Sequence, residues 1–412
     1  MTQPTCRFCH APLTLDLIDL GEQPLSNAYL TQAQLDSGKE GVYPLHVRVC
    51  EACWLVQADD PVAHEAIFDD DYAYFSSYSP GWVAHAKRYA EAMKARFGLD
   101  ADSLVAEVAS NDGYLLQHFV AMDVPVLGIE PTANTAAVAI DKGVPTEVAF
   151  FNAATATALA GRGIRADLMA ANNVLAHVPD IADFVAGFPI LLKPQGVLTF
   201  EFPHLLKLIE LVQFDTIYHE HFSYLSLLAV EKVLAANGMK AFDVEQLPTH
   251  GGSLRLFCAH EGADHAETEA LRDIRAAEAA AGLDSRTPYE SFTARAEAVR
   301  DGLVAFLDRA EAEGRRVAAY GAAAKGNTFL NYAHIAAPRI EAVFDANVHK
   351  QGRYLPGSHV PILAPSEIAT VRPDYLIILP WNLKDEIVAQ MAMIRDWGGR
   401  FVIAVPEIEV ID

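Results

Sequence analysis

Between residues 104 and 202 the chain alternates short apolar runs with helical stretches, and this alternation constrains the fold more than any other feature. The runs 104–109, 124–130, 167–171 and 197–202 have strand length, and the stretches 113–122, 133–142 and 180–192 between them have helical periodicity. Strands alternating with helices lie parallel, because each helix returns the chain across the sheet. The fold class is therefore α/β. Residues 242–245 and 254–259 supply two more strands, able to close the sheet as an antiparallel pair. A second α/β unit follows, with apolar runs 316–320, 340–344, 375–379 and 401–405 and helical stretches 325–335 and 384–395. Residues 264–313, rich in Ala, Glu and Arg, predict long connecting helices. Helices are also expected over 81–98, 204–212 and 225–238, the last stopping at Gly238.

The first strand runs into Glu107-Val108-Ala109-Ser110-Asn111-Asp112-Gly113 and then a helix. Such a turn lets a ligand approach the backbone, and the helix N-terminus directs amides at it. The next strand ends in Gly128-Ile129-Glu130-Pro131. An acidic residue about twenty residues past the turn can accept two ribose hydroxyls. Both features suit either a nicotinamide dinucleotide or S-adenosylmethionine. A pyrophosphate needs the room of three glycines, and this turn has only Gly113. Asn111 and Asp112 repel or ignore a pyrophosphate, but they suit a sulfonium and an amino group. The turn favours S-adenosylmethionine.

Four of the five cysteines form two knuckles, Cys6-x-x-Cys9 and Cys50-x-x-Cys53. Four thiolates so paired can surround zinc tetrahedrally. Forty residues separate the pairs, more than in a common zinc ribbon, and His10 and Trp54 stand where many ribbons carry glycine. A site with four thiolates has no open position, so zinc here is structural. Cys258 lies in an apolar run and reads as a core residue.

Tyr218-His219-Glu220-His221-Phe222-Ser223-Tyr224 is dense in proton-handling groups and follows the end of a sheet strand. Strand ends of open α/β sheets are where ligands bind. The two histidines lack the i, i+4 spacing of a helical zinc motif. Making a carbon nucleophilic requires a base to remove a proton beside a ketone, and histidine titrates in the right range. The resulting enolate oxygen needs a donor, which a tyrosine hydroxyl can supply.

The second α/β unit carries Tyr320-Gly321-Ala-Ala-Ala-Lys325-Gly326-Asn327-Thr328 at a strand-to-helix turn. Amides at a helix start bind anions, and Lys325 adds a full charge. Asp345, Asn347, Trp381 and Asn382 fall at later strand ends on the same sheet edge. Lys325, Asn327, Asn347, Trp381 and Asn382, with Tyr224, are the expected substrate contacts. The net charge of −23 excludes a nucleic-acid partner, which needs a basic footprint. No apolar run of ~18 residues is present to span a membrane, and the first residues carry neither the basic head nor the apolar core of a secretion signal. A cytoplasmic protein is expected, with a monomer favoured over a dimer.

The Asn-Asp-Gly turn after an acidic strand, then Gly-Ile-Glu-Pro, then Asn172-Asn173-Val-Leu-Ala-His177-Val-Pro-Asp180, resemble the class I methyltransferase core of the sugar C-methyltransferases. The resemblance covers nearly the whole chain. It departs at Ala109 and Ser110, where common methyltransferases have glycine. It implies an N-terminal zinc-binding domain (1–70), a central methyltransferase domain (71–262) and a C-terminal Rossmann-like domain that helps hold the nucleotide (263–412). It implies S-adenosylmethionine and structural zinc as cofactors, and methylation, at carbon 3, of a 4-keto deoxysugar linked to a nucleotide, with dTDP favoured. The resemblance makes His221 the base and Tyr218 a donor to the sugar, with Glu220 orienting the base or binding substrate. His177 becomes a further active-site histidine and Tyr72 an aromatic lid over the methyl donor. With the residues already named, Glu107, Ala109, Ser110, Asn111, Asp112, Gly113, Glu130, Pro131, Asn172 and Asn173 form the cofactor site. Methylation of a sugar oxygen and a nicotinamide-linked sugar oxidoreductase are the competing readings, and a zinc module that only binds a partner is the non-enzymatic one.

Overall fold

The computed structural model describes residues 3–59 and 75–412. Tyr72 lies outside the described residues. The central sheet has seven strands. Across it run Thr146–Val148, Val126–Glu130, Val105–Val108, Ala166–Asn172, Leu192–Pro203, Ser253–His260 and Met239–Leu247. Ser253–His260 is antiparallel to both of its neighbours, and the first five strands are parallel. This is the strand order of a class I methyltransferase core. All four residues of Val105–Val108 are buried, as expected for a parallel strand covered on both faces. Helix Pro80–Phe97 covers one face. It starts where the Ser79 side chain accepts from the Trp82 amide, and it ends at Gly98 in a left-handed conformation.

The C-terminal sheet has six strands, in the order Ile362–Leu363, Val343–Phe344, Val317–Tyr320, Tyr375–Ile378, Arg400–Ile403 and Glu409–Ile411. Only the last is antiparallel. In both large sheets the first strand lies inside, and the order reverses beside it. A crevice opens at the carboxyl ends of the strands where the order reverses.

The third sheet joins distant parts of the chain. Leu15–Pro24, Val42–Val49 and Val56–Ala58 are completed by Ser223–Tyr224, with Tyr224 paired to Val56 and Ser223 to Gln57. The segment expected to carry the chemistry is thus an edge strand of the sheet beside the cysteine knuckles. The expected connecting helices divide between two cores. Leu271 and Ile274 of Glu269–Ala280 pack with Met239 and Val244 of the central unit. Leu303 and Phe306 of Phe292–Ala312 pack with Leu17 and Val402, in a core shared by the N-terminal and C-terminal sheets. His204 and Glu278 fasten the division: they meet at 2.7 Å, both buried, and the Glu278 carboxylate also accepts the amides of Leu227 and Leu228.

Strand Thr146–Val148 and helix Ala153–Gly161 are not anticipated by the periodicity. The strand is three half-exposed or exposed residues long, and the helix is mostly Ala and Thr, so neither leaves an apolar signature. The helix expected over 113–122 shortens to Leu116–Val120, because the turn at Gly113 continues to Leu115. Among the described residues no helix is long and apolar enough to cross a membrane.

Candidate active site

The first crevice opens between Val105–Val108 and Ala166–Asn172. The turn above it is wound tightly, with φ of 57° at Ala109, 49° at Asn111 and 75° at Gly113. A β-carbon on Gly113 would lie 3.2 Å from both Ala139 and Val144. Glu130 holds the turn in place. Its carboxylate accepts the Asn111 amide at 2.9 Å, and the Thr132 amide and hydroxyl at 3.0 and 2.5 Å. Asn111 accepts the Ser76 amide at 2.9 Å. Asp112 is buried against Lys142 at 3.1 Å and accepts the Ser77 hydroxyl. Both side chains therefore anchor the turn to helix Ala133–Asp141 and to the segment before Pro80. Glu107 is buried beneath, and burial first, then Glu130 and Asp112, push its carboxyl well above the usual range. Pro131, half-buried, follows Glu130 at the rim.

The second crevice opens beside Val317–Tyr320. Lys325 donates to Asn382 Oδ1 at 2.7 Å and lies 4.6 Å from the centre of the Trp381 ring. Trp381 Nε1 donates to the buried Asp215 carboxylate at 2.8 Å. Asp345 repeats the part Glu130 plays in the first crevice: it accepts the Ala322 and Asn347 amides, each at 2.7 Å. Lys350 reaches the Ala322 carbonyl at 2.8 Å and lies 5.0 Å over the Tyr29 ring. Burial lowers the pKa of both lysines, against the opposing pull of Asp215 on Lys325 and of Asp345 on Lys350. Asn327 is buried, and its amide donates to the Ser26 carbonyl at 2.6 Å, so it ties the N-terminal segment to the C-terminal unit and offers no open surface.

The segment 215–224 runs between the crevices. His221 Nδ1 lies 2.9 Å from the Thr216 carbonyl oxygen, and the His221 ring centre is 4.0 Å from that of Tyr218 and 4.7 Å from that of His177. Burial first, then the neighbouring His177, hold its pKa well below the ordinary histidine value. Glu220 accepts from Asn27 at 2.6 Å, and burial raises its carboxyl pKa. His219 is buried and turned away, its Nε2 3.3 Å from the Pro44 carbonyl oxygen. Tyr224 is buried in the edge strand with its ring 6.1 Å from that of His221.

The Sγ atoms of Cys6, Cys9, Cys50 and Cys53 all lie within 4.8 Å of one another, the arrangement a tetrahedral zinc requires. Residues 248–406 match the C-methyltransferase C-terminal domain, 82–244 a methyltransferase domain and 6–68 a zinc binding domain. The C-methyltransferase NovU of Streptomyces niveus is 35% identical over 406 residues, which are 98% of this chain and 96% of NovU. The chain belongs to the C-methyltransferase family. Among solved structures it is similar to magnesium protoporphyrin IX methyltransferase (ChlM) from Synechocystis, at 16% identity and a TM-score of 0.36 over 44% of this chain and 84% of that one. It is also similar to the glycopeptide N-methyltransferase MtfA, at 13% identity and a TM-score of 0.34 over 42% and 96%.

As a C-methyltransferase the enzyme uses S-adenosylmethionine, and its first crevice fits that molecule. The buried atoms Ser110 Oγ, Asp112 Oδ1, Asn172 Oδ1 and Asn173 Oδ1 find no hydrogen-bond partner among the described residues. Buried polar atoms without partners are rare in a folded chain, and here they lie together on the turn and strand end that border the crevice. The zinc is structural, since four thiolates close its coordination.

Several ionisable residues near the crevices escape the sequence reading. Glu201, fully buried, is met by His85 at 3.0 Å and Arg255 at 2.8 Å, and these two hold its pKa down against burial. Asp215, whose burial pushes its carboxyl up to about 6, ties the segment 215–224 to Trp381. His250 sets its ring edge-on to Trp82, 5.7 Å between centres. None of these sits in a dense motif, and only the sheet topology brings them to the site.

Proposed function

We propose that this C-methyltransferase acts on carbon 3 of a nucleotide-linked 4-keto deoxysugar, through an enolate that His221 generates. The contact between His221 Nδ1 and the Thr216 carbonyl carries this reading. A carbonyl only accepts, so Nδ1 holds the proton and Nε2 keeps a lone pair for the substrate. Nε2 takes the proton from the carbon beside the ketone, and the electron pair moves onto the ketone oxygen as the enolate. Bound in the first crevice, S-adenosylmethionine would supply an electrophilic methyl group to that carbon, with the neutral thioether as leaving group. Tyr218 and His177, packed against the base, face the sugar, and Glu220 orients it from the Asn27 side. Lys325, Asn382 and Asn347 hold the nucleotide part, with dTDP favoured, and Trp381 is the floor beneath Lys325. Residues 1–70, 71–262 and 263–412 then divide as zinc-binding, methyl-donor and nucleotide domains of a cytoplasmic monomer.

The test is deuterium exchange at carbon 3 without methyl donor. The wild type should exchange it, and His221→Asn should not, with turnover lowered by ~10²–10⁴-fold, the usual contribution of a general base. Exchange by the variant at the wild-type rate moves the base elsewhere. Methylation of a sugar nucleotide lacking any ketone overturns the enolate.

A further inference from the structure

Three consecutive residues, His250, Gly251 and Gly252, have φ of 55°, 86° and 120°. Glycine accepts such values freely. A histidine there is held in a conformation that non-glycine residues rarely adopt and that clusters at functional sites. The turn is fixed on every side. The Gly252 amide and the Ser253 hydroxyl both donate to the Thr249 carbonyl at 2.9 Å. Gln213 donates to the Gly251 carbonyl at 2.9 Å, the His204 amide donates to the Gly252 carbonyl at 3.0 Å, and Thr249 donates to Glu201 at 3.3 Å. A β-carbon on Gly251 would lie 2.2 Å from the Trp381 ring, so no side chain fits there. A rigid turn thus displays one imidazole.

That imidazole is exposed, and its ring has no hydrogen bond among the described residues. Its ring contact is with Trp82, edge-on at 5.7 Å between centres. Trp82 stacks in turn on Tyr114, the residue after Gly113, so His250 borders the first crevice. Lys325 of the second crevice acts electrostatically on His250, and His250 in turn acts on His221. The ring thus lies between Trp82, beside the first crevice, and the turn that packs Gly251 against Trp381 of the second. Crowding by the surrounding protein, then Lys325, lowers its pKa. At neutral pH it is uncharged and has one N–H to give.

We propose that His250 is a further catalytic residue, donating its N–H to the substrate oxygen on which charge develops as His221 takes the carbon-bound proton. This rests on the enolate reading above. A neutral imidazole suits the task, because a donor already fixed in place by a rigid turn stabilises developing charge without reorganising. The Thr216 carbonyl commits His221 to the opposite duty, with its lone pair toward the substrate.

Three variants test it. His250→Gly removes the ring and accepts the left-handed backbone. His250→Asn keeps an N–H donor and His250→Asp removes it, and both side chains tolerate positive φ. Loss of one such donor costs ~10²–10³-fold in kcat, so the Gly and Asp variants should lose that much and exchange carbon 3 deuterium correspondingly slowly. The Asn variant should recover at least ten-fold of the loss. S-adenosylmethionine affinity and Tm should hold in all three. If the Asn and Asp variants turn over alike, or the Gly variant raises KM with kcat intact, the proposal is overturned while the enolate reading stands. If the wild type itself exchanges no deuterium, both fall together.

Discussion

The hydroxyl of Ser110 occupies the space that a β-carbon of residue 128 would need. A β-carbon placed on Gly128 lies 2.5 Å from Ser110 Oγ and 2.9 Å from Thr146 Oγ1. Ser110 stands where common methyltransferases have glycine, and the missing room is returned from the next strand, at Gly128. Gly128→Ala should therefore overpack the turn and cost ~1–3 kcal/mol of stability. It should also weaken S-adenosylmethionine binding, because the displaced turn borders the first crevice. Ser110→Gly in the same chain should recover most of both losses. Thermal melts and calorimetry of the single and double variants check this, and additive losses would refute the pairing.

Glu130 accepts two backbone amides and one hydroxyl, from either side of its strand end. Glu130→Ala should release the turn and remove the proposed ribose acceptor, weakening S-adenosylmethionine binding by ~1.5–3 kcal/mol. Glu130→Gln, which keeps one acceptor, should fall between. Titration calorimetry with S-adenosylhomocysteine reads the difference.

The pH profile follows from His221. Its pKa in the fold lies below the ordinary value near 6.5, and the active form is the neutral one. As pH falls from 8 through 6.5, kcat/KM should stay level on account of this group, and fall only at more acidic pH. Stability moves in the same direction. Below pH ~6.5 the unfolded chain takes up a proton at His221 that the folded chain does not, so acid weakens the fold. An acidic limb centred at 6.5 or above would exclude His221 as the base.

The sequence makes legible what is local. Gly113, Glu130 and Lys325 each follow an apolar strand and carry their meaning within a few residues, and the cysteine pairs declare themselves by spacing. The three-sheet arrangement was less legible, because it depends on contacts across the chain. Ser223–Tyr224 pairs with Val56–Ala58, far away in sequence, and two residues leave no periodicity to read. Glu201, His85 and Arg255 come from three separate elements: the antiparallel pairing sets Arg255 opposite Glu201, and helix Pro80–Phe97 brings His85 to them. His250 falls between the runs 242–245 and 254–259, and nothing in the sequence marks it. Its place beside the crevices is set by Gly251 packing under Trp381, a contact between the central and C-terminal units.

The zinc site and the base are linked through Gln57. Its side chain accepts the Arg7 amide at 2.8 Å and donates to Cys6 Sγ at 3.2 Å, while its backbone pairs with Ser223. The Ala58 amide continues the ladder to the Phe222 carbonyl at 3.1 Å, one residue from His221. A disordered knuckle would therefore loosen the strand that holds the base. The turn at Gly113 belongs to another sheet and is anchored by Glu130 and Lys142. Cys50→Ser, or stripping the metal with a chelator, should lower Tm and kcat together, while affinity for S-adenosylhomocysteine stays near the wild-type value. Metal analysis should return one zinc per chain before treatment. Gln57→Leu should reproduce the loss of kcat with the zinc retained, since it cuts the link and leaves the four thiolates in place. A zinc-free enzyme that turned over at the wild-type rate, or a Gln57→Leu variant of full activity, would show that the metal serves the N-terminal unit alone.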